Sequence, residues 1–128
     1  MKTILVVEDD RSLARLVQLN LEAEGYRVSI CHEGDGALAW LQRSAPDLVL
    51  LDLRLSTAVS GWDVLARLRT EERLRRVPVV VLSAYAHTQD RTQAQAAGAS
   101  QYLVKPFGIA DLLACVAHWI GSVDETQR

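Results

Sequence analysis

Several side chains able to bind metal or phosphate stand at the ends of short apolar runs. Ile4-Leu5-Val6-Val7 leads into Glu8-Asp9-Asp10, Leu48-Val49-Leu50-Leu51 into Asp52, Val79-Val80-Val81-Leu82 into Ser83, and Tyr102-Leu103-Val104 into Lys105-Pro106. If these runs are parallel strands of one sheet, their carboxyl ends share an edge, and three acids, a hydroxyl and a lysine from distant parts of the chain converge there. Glu8, Asp9 and Asp52 brought within a few ångströms would repel by about 4 kcal/mol per close pair at an effective dielectric of 20. Such a cluster needs a counter-charge. A hard divalent cation that prefers oxygen ligands suits it, Mg²⁺ first and Mn²⁺ as a substitute. Lys105 adds a flexible point charge for a phosphate or for Asp52. An ionised Asp52 in that setting can attack a phosphoryl group and form an aspartyl phosphate, with Ser83 placed to hydrogen-bond the product.

Taken singly, each residue has an ordinary structural explanation. An Asp after a strand is often a helix N-cap, and a Ser there is often a turn cap. It is the repetition at four strand ends that points to a site.

The elements that must position these groups are legible in the pattern. Apolar runs at residues 3–7, 27–30, 48–51, 79–82 and 101–104 read as strands, separated by helical spacing. Leu13, Leu16, Val17 and Leu21 mark a first helix, with Ser12 as the expected N-cap and Gly25 as its stop. Ala37, Leu38 and Leu41 mark a second that Ala45-Pro46 closes, and a third follows Gly61 with Trp62, Val64, Leu65 and Leu68 and ends before Val77-Pro78. The fourth, at residues 88–97, is almost all Ala, Gln, Thr and Arg and is expected to be the most mobile. Ile109, Leu112, Leu113, Val116 and Ile120 form the stripe of a fifth, and residues 122–128 read as a polar tail or the start of a linker after one domain over residues 1–121. Five strands alternating with five helices predict a doubly wound α/β fold with a parallel sheet covered on both faces.

Size and charge narrow the function classes. The 128 residues suit one domain, with 49% hydrophobic and 23% charged residues, as in an ordinary globular protein. A net charge of −2 gives no basis for direct nucleic-acid binding, and the cluster Arg67, Arg69, Arg73, Arg75 and Arg76, interrupted by Glu71 and Glu72, reads as a solvated helix end. The short apolar run after Met1-Lys2-Thr3 is no signal peptide or membrane span, so a cytoplasmic location is expected. Cys31 and Cys115 read as reduced thiols, and His32, His87 and His118 match no metal motif.

The four pieces in order, from Ile4-Leu5-Val6-Val7-Glu8-Asp9-Asp10 through Asp52 and Val81-Leu82-Ser83-Ala84 to Tyr102-Leu103-Val104-Lys105-Pro106-Phe107, closely resemble the receiver domain of bacterial two-component response regulators over essentially the whole chain. The resemblance implies a flavodoxin-like (βα)5 fold with strand order 2-1-3-4-5, as in the chemotaxis receiver. It implies that Asp52 is the phosphoacceptor, Asp9 a direct Mg²⁺ ligand, Glu8 a ligand through water and the backbone carbonyl of Arg54 a further ligand. Ser83 falls at the Ser/Thr switch position, Tyr102 at the aromatic switch and Lys105 at the lysine position, with a cis peptide to Pro106. Phosphoryl transfer from a histidine kinase or phosphotransfer protein would then shift the population of a surface made by the fourth helix, fifth strand and fifth helix, which binds an effector protein. Such a domain is a signalling element, not a metabolic enzyme; it assists its own phosphorylation and slow dephosphorylation.

The chain departs from the family in places. Ser56 stands where a Pro is common and Gly61 lies one place late, so the loop after Asp52 is one residue longer. Ser100 and Gln101 stand where acids are common and no Arg follows Leu113, which argues against the dimer used by winged-helix DNA-binding regulators and for output by protein docking. Arg54 and Tyr85, two places beyond Asp52 and Ser83, are expected to slow loss of the phosphoryl group. Three rivals stand beside this reading. A pseudo-receiver without phosphotransfer would have no need of the intact acids, Ser83 and Lys105. A haloacid-dehalogenase-type hydrolase needs Asp-x-Asp, where this chain has Glu8 and Asp10, and a nucleotide or flavin module needs a glycine-rich loop after Val7.

Overall fold

The computed structural model describes residues 1–85 and 87–127, with side chains described through Ile120. Five strands and five helices alternate: β1 Thr3–Val7, α1 Arg11–Ala23, β2 Arg27–Cys31, α2 Gly34–Arg43, β3 Leu48–Asp52, α3 Gly61–Thr70, β4 Val79–Ser83, α4 Thr88–Ala96, β5 Gln101–Val104 and α5 Ile109–Gln127. The strands pair in parallel in the order β2-β1-β3-β4-β5, as the resemblance implied.

Alternation along each strand explains the layers. Ile4, Val6, Leu48, Leu50, Val80 and Leu82 face one way and pack with Ala14, Val17 and Leu21 of α1 and with Leu112, Cys115, Val116 and Ile120 of α5. Their neighbours Leu5, Val7, Val49, Leu51, Val79 and Val81 face the other way, against Ala37 and Leu41 of α2, Val64, Leu65 and Leu68 of α3, and Ala94 of α4. Both faces are therefore dry, which is why the strand sequences are continuous apolar runs rather than half-polar ones. A buried Leu or Val stabilises by roughly 1.5–3 kcal/mol, so α3, with Val64, Leu65 and Leu68 fully buried, is docked firmly. Ala94 is the one buried residue of α4, whose remaining positions are nearly all exposed.

Two helix boundaries shift, at the start of α1 and the end of α5, and two ends, of α2 and α3, are located within the expected limits. Asp10, not Ser12, caps α1: its carboxylate accepts from the Leu13 N–H at 3.1 Å, so the helix starts two residues earlier than expected. α2 ends at Arg43, before Ala45-Pro46, with Ser44 already extended. α3 ends at Thr70, and the Leu74, Val77 and Glu71 backbones close tight turns before β4. α5 runs through Gly121 to Gln127, since a single glycine costs a helix only about 1 kcal/mol; of the expected polar tail, Arg128 lies outside the described residues. No described helix is long and apolar enough to cross a membrane.

Two arginines of the basic cluster are not simply solvated. Arg69 is half-buried and donates from Nε to the Gly98 carbonyl at 2.8 Å and from a terminal nitrogen to the Val77 carbonyl at 2.8 Å, tying α3 to the turns on either side of β4 and α4. Arg73 pairs with Glu71 and donates to the Ser44 and Leu41 carbonyls at the end of α2.

Candidate functional site

Parallel register brings the expected residues to one edge. Val7 is level with Cys31 and Leu51, Asp52 with Leu82, and Ser83 with Val104, so Glu8 and Asp52 leave their strands level with each other, with Ser83 one residue and Lys105 two residues beyond them on the next strands. Glu8, Asp52 and Ser83 are the buried polar residues of the described chain, at 1%, 5% and 2% exposure, in a core otherwise apolar.

Glu8, Asp9 and Asp52 each present an oxygen, and those oxygens lie within 4.8 Å of one another. Lys105 reaches in from β5: its Nζ is 2.6 Å from Glu8 Oε1 and donates to Asp52 Oδ2 at 3.1 Å. The backbone adds two donors. The Asp10 N–H points to Glu8 Oε2 at 3.1 Å and the Arg54 N–H to Asp52 Oδ1 at 2.9 Å. Asp10 itself turns outward to its capping bond, so only Glu8 and Asp9 of the acidic triplet contribute to the cluster.

The electrostatics follow from burial. Taking Glu8 out of water raises its pKa to about 7; the Lys105 ammonium opposes this, and the Asp52 charge adds to it. Burial alone would lower the Lys105 pKa, but the close contact with Glu8 and the charges of Asp52 and Glu8 outweigh it and raise the value. Lys105 is thus held charged between two acids. Its approach to Glu8 Oε1 is close but misaligned for a hydrogen bond, and that buried oxygen has no aligned donor. One lysine against three acids, with a buried oxygen still lacking a donor, fits a site that could hold a hard divalent cation.

Ser83 and Tyr102 meet at Tyr85. Ser83 Oγ accepts from the Tyr85 N–H at 3.1 Å, and the Tyr102 hydroxyl donates to the Tyr85 carbonyl at 2.6 Å. The Arg54 guanidinium lies 4.3 Å from the Tyr85 ring centroid, and Arg91 of α4 lies 5.6 Å from that of Tyr102. The two bulky residues two places beyond Asp52 and Ser83 are therefore in contact with each other. The Lys105–Pro106 peptide is cis, and the Lys105 N–H donates to the Ser83 carbonyl at 2.7 Å.

The longer loop after Asp52 folds back on itself. The Gly61 N–H donates to the Leu53 carbonyl at 3.2 Å, and a Cβ at Gly61 would stand 2.2 Å from the Asp52 carbonyl oxygen. Leu53 is buried and Leu55 and Val59 pack on the core, so apolar anchoring and a glycine contact replace the missing proline. Ser60 then opens α3 with a capping box to Asp63. The sequence reading passed over His32, whose ring nitrogen lies 2.9 Å from the Glu8 carbonyl oxygen. The strand-end rule applied to β2 would have marked it.

The geometry has counterparts. The model of the response regulator receiver domain matches residues 4–117. The chain is 40% identical over 128 residues to the DNA-binding dual master transcriptional regulator RpaA of Synechocystis, covering all of this chain and 53% of that protein. It is 42% identical over 113 residues to the phosphate regulon transcriptional regulatory protein PhoB of Rhizobium meliloti, covering 88% of this chain and 49% of that one. It thus spans about half the length of the curated relatives it matches. Among solved structures it is similar to the receiver domain of a sensor histidine kinase from Pseudomonas aeruginosa, described with a magnesium ion coordinated in the active site cleft, with a TM-score of 0.85 and 35% identity over 94% of this chain and 98% of that one. Chemotaxis protein CheY4 of Vibrio cholerae superposes with a TM-score of 0.86 and 26% identity, over 92% and 98% of the two chains. With the strand order, the acidic edge and the matched residues in agreement, the chain belongs to the response regulator receiver domain family.

Proposed function

We propose that this domain is a switch phosphorylated on Asp52 by a histidine kinase or phosphotransfer protein of the cytoplasm, with Mg²⁺ held by Asp9, Asp52, the Arg54 carbonyl and, through water, Glu8. The observation that carries the proposal is a buried carboxylate, Asp52, fixed by a backbone N–H and by Lys105 beside two further acids. A purely structural role would not gather three carboxylates around one ammonium.

In the reaction an Asp52 oxygen attacks the phosphorus of a phosphohistidine. The new O–P bond forms as the N–P bond breaks, and the imidazole nitrogen keeps the electron pair and takes a proton from solvent. Lys105, already at Asp52, supplies positive charge to the transferring oxygens, and Ser83 is the hydroxyl placed to hydrogen-bond the product. When bound, Mg²⁺ or Mn²⁺ adds charge neutralisation at the same oxygens. A hydrogen bond from Ser83 to the phosphoryl group would change its bond to Tyr85, and Tyr85 also carries Tyr102, so the change reaches the face formed by α4, β5 and α5. That face is the proposed docking surface for an effector protein.

The identity to transcriptional regulators supports a second reading of the output, in which the domain controls a DNA-binding segment of a longer protein. The receiver surface itself needs no contact with nucleic acid in either case. The test is mass spectrometry after incubation with MgCl₂ and acetyl phosphate. Gain of one phosphoryl group is expected, absent when the metal is chelated beforehand and absent in Asp52→Asn. No gain, or a gain that survives Asp52→Asn, would support the pseudo-receiver instead.

A further inference from the structure

Where β1 and β2 part, a side chain takes over from the ladder. The Glu8 N–H makes the last pairing bond, to the Cys31 carbonyl at 3.0 Å. In a parallel ladder the next donor, for the Glu8 carbonyl, would come from the backbone two residues beyond Cys31. β2 has ended by then, and His32 Nδ1 stands 2.9 Å from that oxygen instead. A carbonyl can only accept, so Nδ1 carries the hydrogen, and the bond holds in either charge state of the ring.

We propose that His32 is a positioning residue of the acidic site: its Nδ1–H fixes the Glu8–Asp9 peptide so that both carboxylates face Asp52. The inference rests on the reading of that cluster as a Mg²⁺ site. Glu8 is 1% exposed, so in the folded chain its carbonyl is covered and the imidazole is the donor that reaches it. Without the donor, the peptide is free to rotate toward solvent, and Asp9, the next residue, turns with it. The loop that carries His32 is itself held from the other side. A Cβ at Gly34 would stand 2.3 Å from the Val59 carbonyl oxygen, so the start of α2 is pressed against the loop that follows Asp52. His32 thus sits on a braced support and links the two loops that carry the acids.

Calorimetric titration of the whole chain with MgCl₂, alongside thermal melts without metal, tests this. Outer-sphere partners of metal sites typically contribute 10–100-fold in affinity, and His32→Ala is expected to weaken Mg²⁺ binding by about tenfold. His32→Asn, whose amide nitrogen can occupy the Nδ1 position, should restore binding to within about threefold of the wild type. Without metal both variants should still melt cooperatively, His32→Ala at a lower temperature than His32→Asn because its Glu8 carbonyl is left unpaired. Unchanged affinity in His32→Ala, or equal loss in both variants, would overturn the positioning role while leaving the metal site standing. No Mg²⁺ binding by the wild-type chain would overturn the site reading and this inference together.

Discussion

Asp52 illustrates how one residue acquires a role from its neighbours. At the end of an apolar strand an aspartate usually caps a helix, but the following helix is capped by Ser60, and Asp52 is left buried beside Lys105. Asp10 shows the opposite outcome: it belongs to the same acidic triplet as Glu8 and Asp9, yet it caps α1. At the same scale, Arg54 and Tyr85 form a cation–π pair, with their backbone N–H groups on Asp52 and Ser83, and under the proposed function the pair would stand in the way of an attacking water. Such pairs are worth about 0.5–1 kcal/mol at exposed sites, so Arg54→Ala or Tyr85→Ala should speed loss of the phosphoryl group by about two- to fivefold. Decay of the phosphorylated form followed by mass is the measurement, and unchanged rates in both variants would remove the pair from the account.

Among the elements, the loop at residues 53–60 and the helix α4 depart most from what a pattern can show. The loop's path depends on Gly61, whose missing Cβ lets its backbone approach the Asp52 carbonyl and the Leu53 Cα. Overpacking of this kind costs about 1–3 kcal/mol, and Gly61→Ala should lower the urea midpoint accordingly and disturb Asp52 with it. Gly36→Ala provides the contrast. Its Cβ would meet nothing closer than 3.9 Å inside α2, so it should add about 0.5 kcal/mol of stability and raise the midpoint. Equal effects at the two sites would contradict the close-approach argument. α4 is held at its C-terminal end by Arg69 on Gly98 and by the Ser100 bonds to Val79, and elsewhere mostly by Ala94. An element docked so lightly suits a surface that must shift its population.

For the whole molecule, the acidic edge is a source of instability when no cation is bound. The Glu8 pKa is raised from 4.5 to about 7, so the folded chain keeps a proton that the unfolded chain has released. The associated stability is fully present below about pH 4.5 and is lost as pH rises through about 7, by at most roughly 3 kcal/mol. The raised Lys105 value acts only above its ordinary range and leaves this window untouched. Metal-free melting temperature should therefore contain a falling component between about pH 5 and pH 8, and saturating MgCl₂ should abolish most of it while releasing protons near pH 7. The same titration in Glu8→Gln should lack the component. A drop of the same size in that variant would place its origin elsewhere.

The order of residues by itself determined the architecture and the acids and lysine that gather at one edge of the sheet. Continuous apolar runs covered on both faces, helical stripes between them and polar groups at strand ends all follow from local chemistry, and they point to the parallel sheet and to Glu8, Asp9, Asp52, Ser83 and Lys105 at its edge. Other features depended on where the chain returns in space. How Tyr102 reaches Tyr85, where the longer loop lies, why Arg69 is half-buried and what His32 touches are decided by contacts between residues well separated in sequence, and the local bonds of Asp10 and Ser83 by the path the backbone takes there. Hydrophobic period is a property of neighbours along the chain, whereas a hydrogen-bond partner at the end of a strand is chosen only after the sheet has brought the loops together.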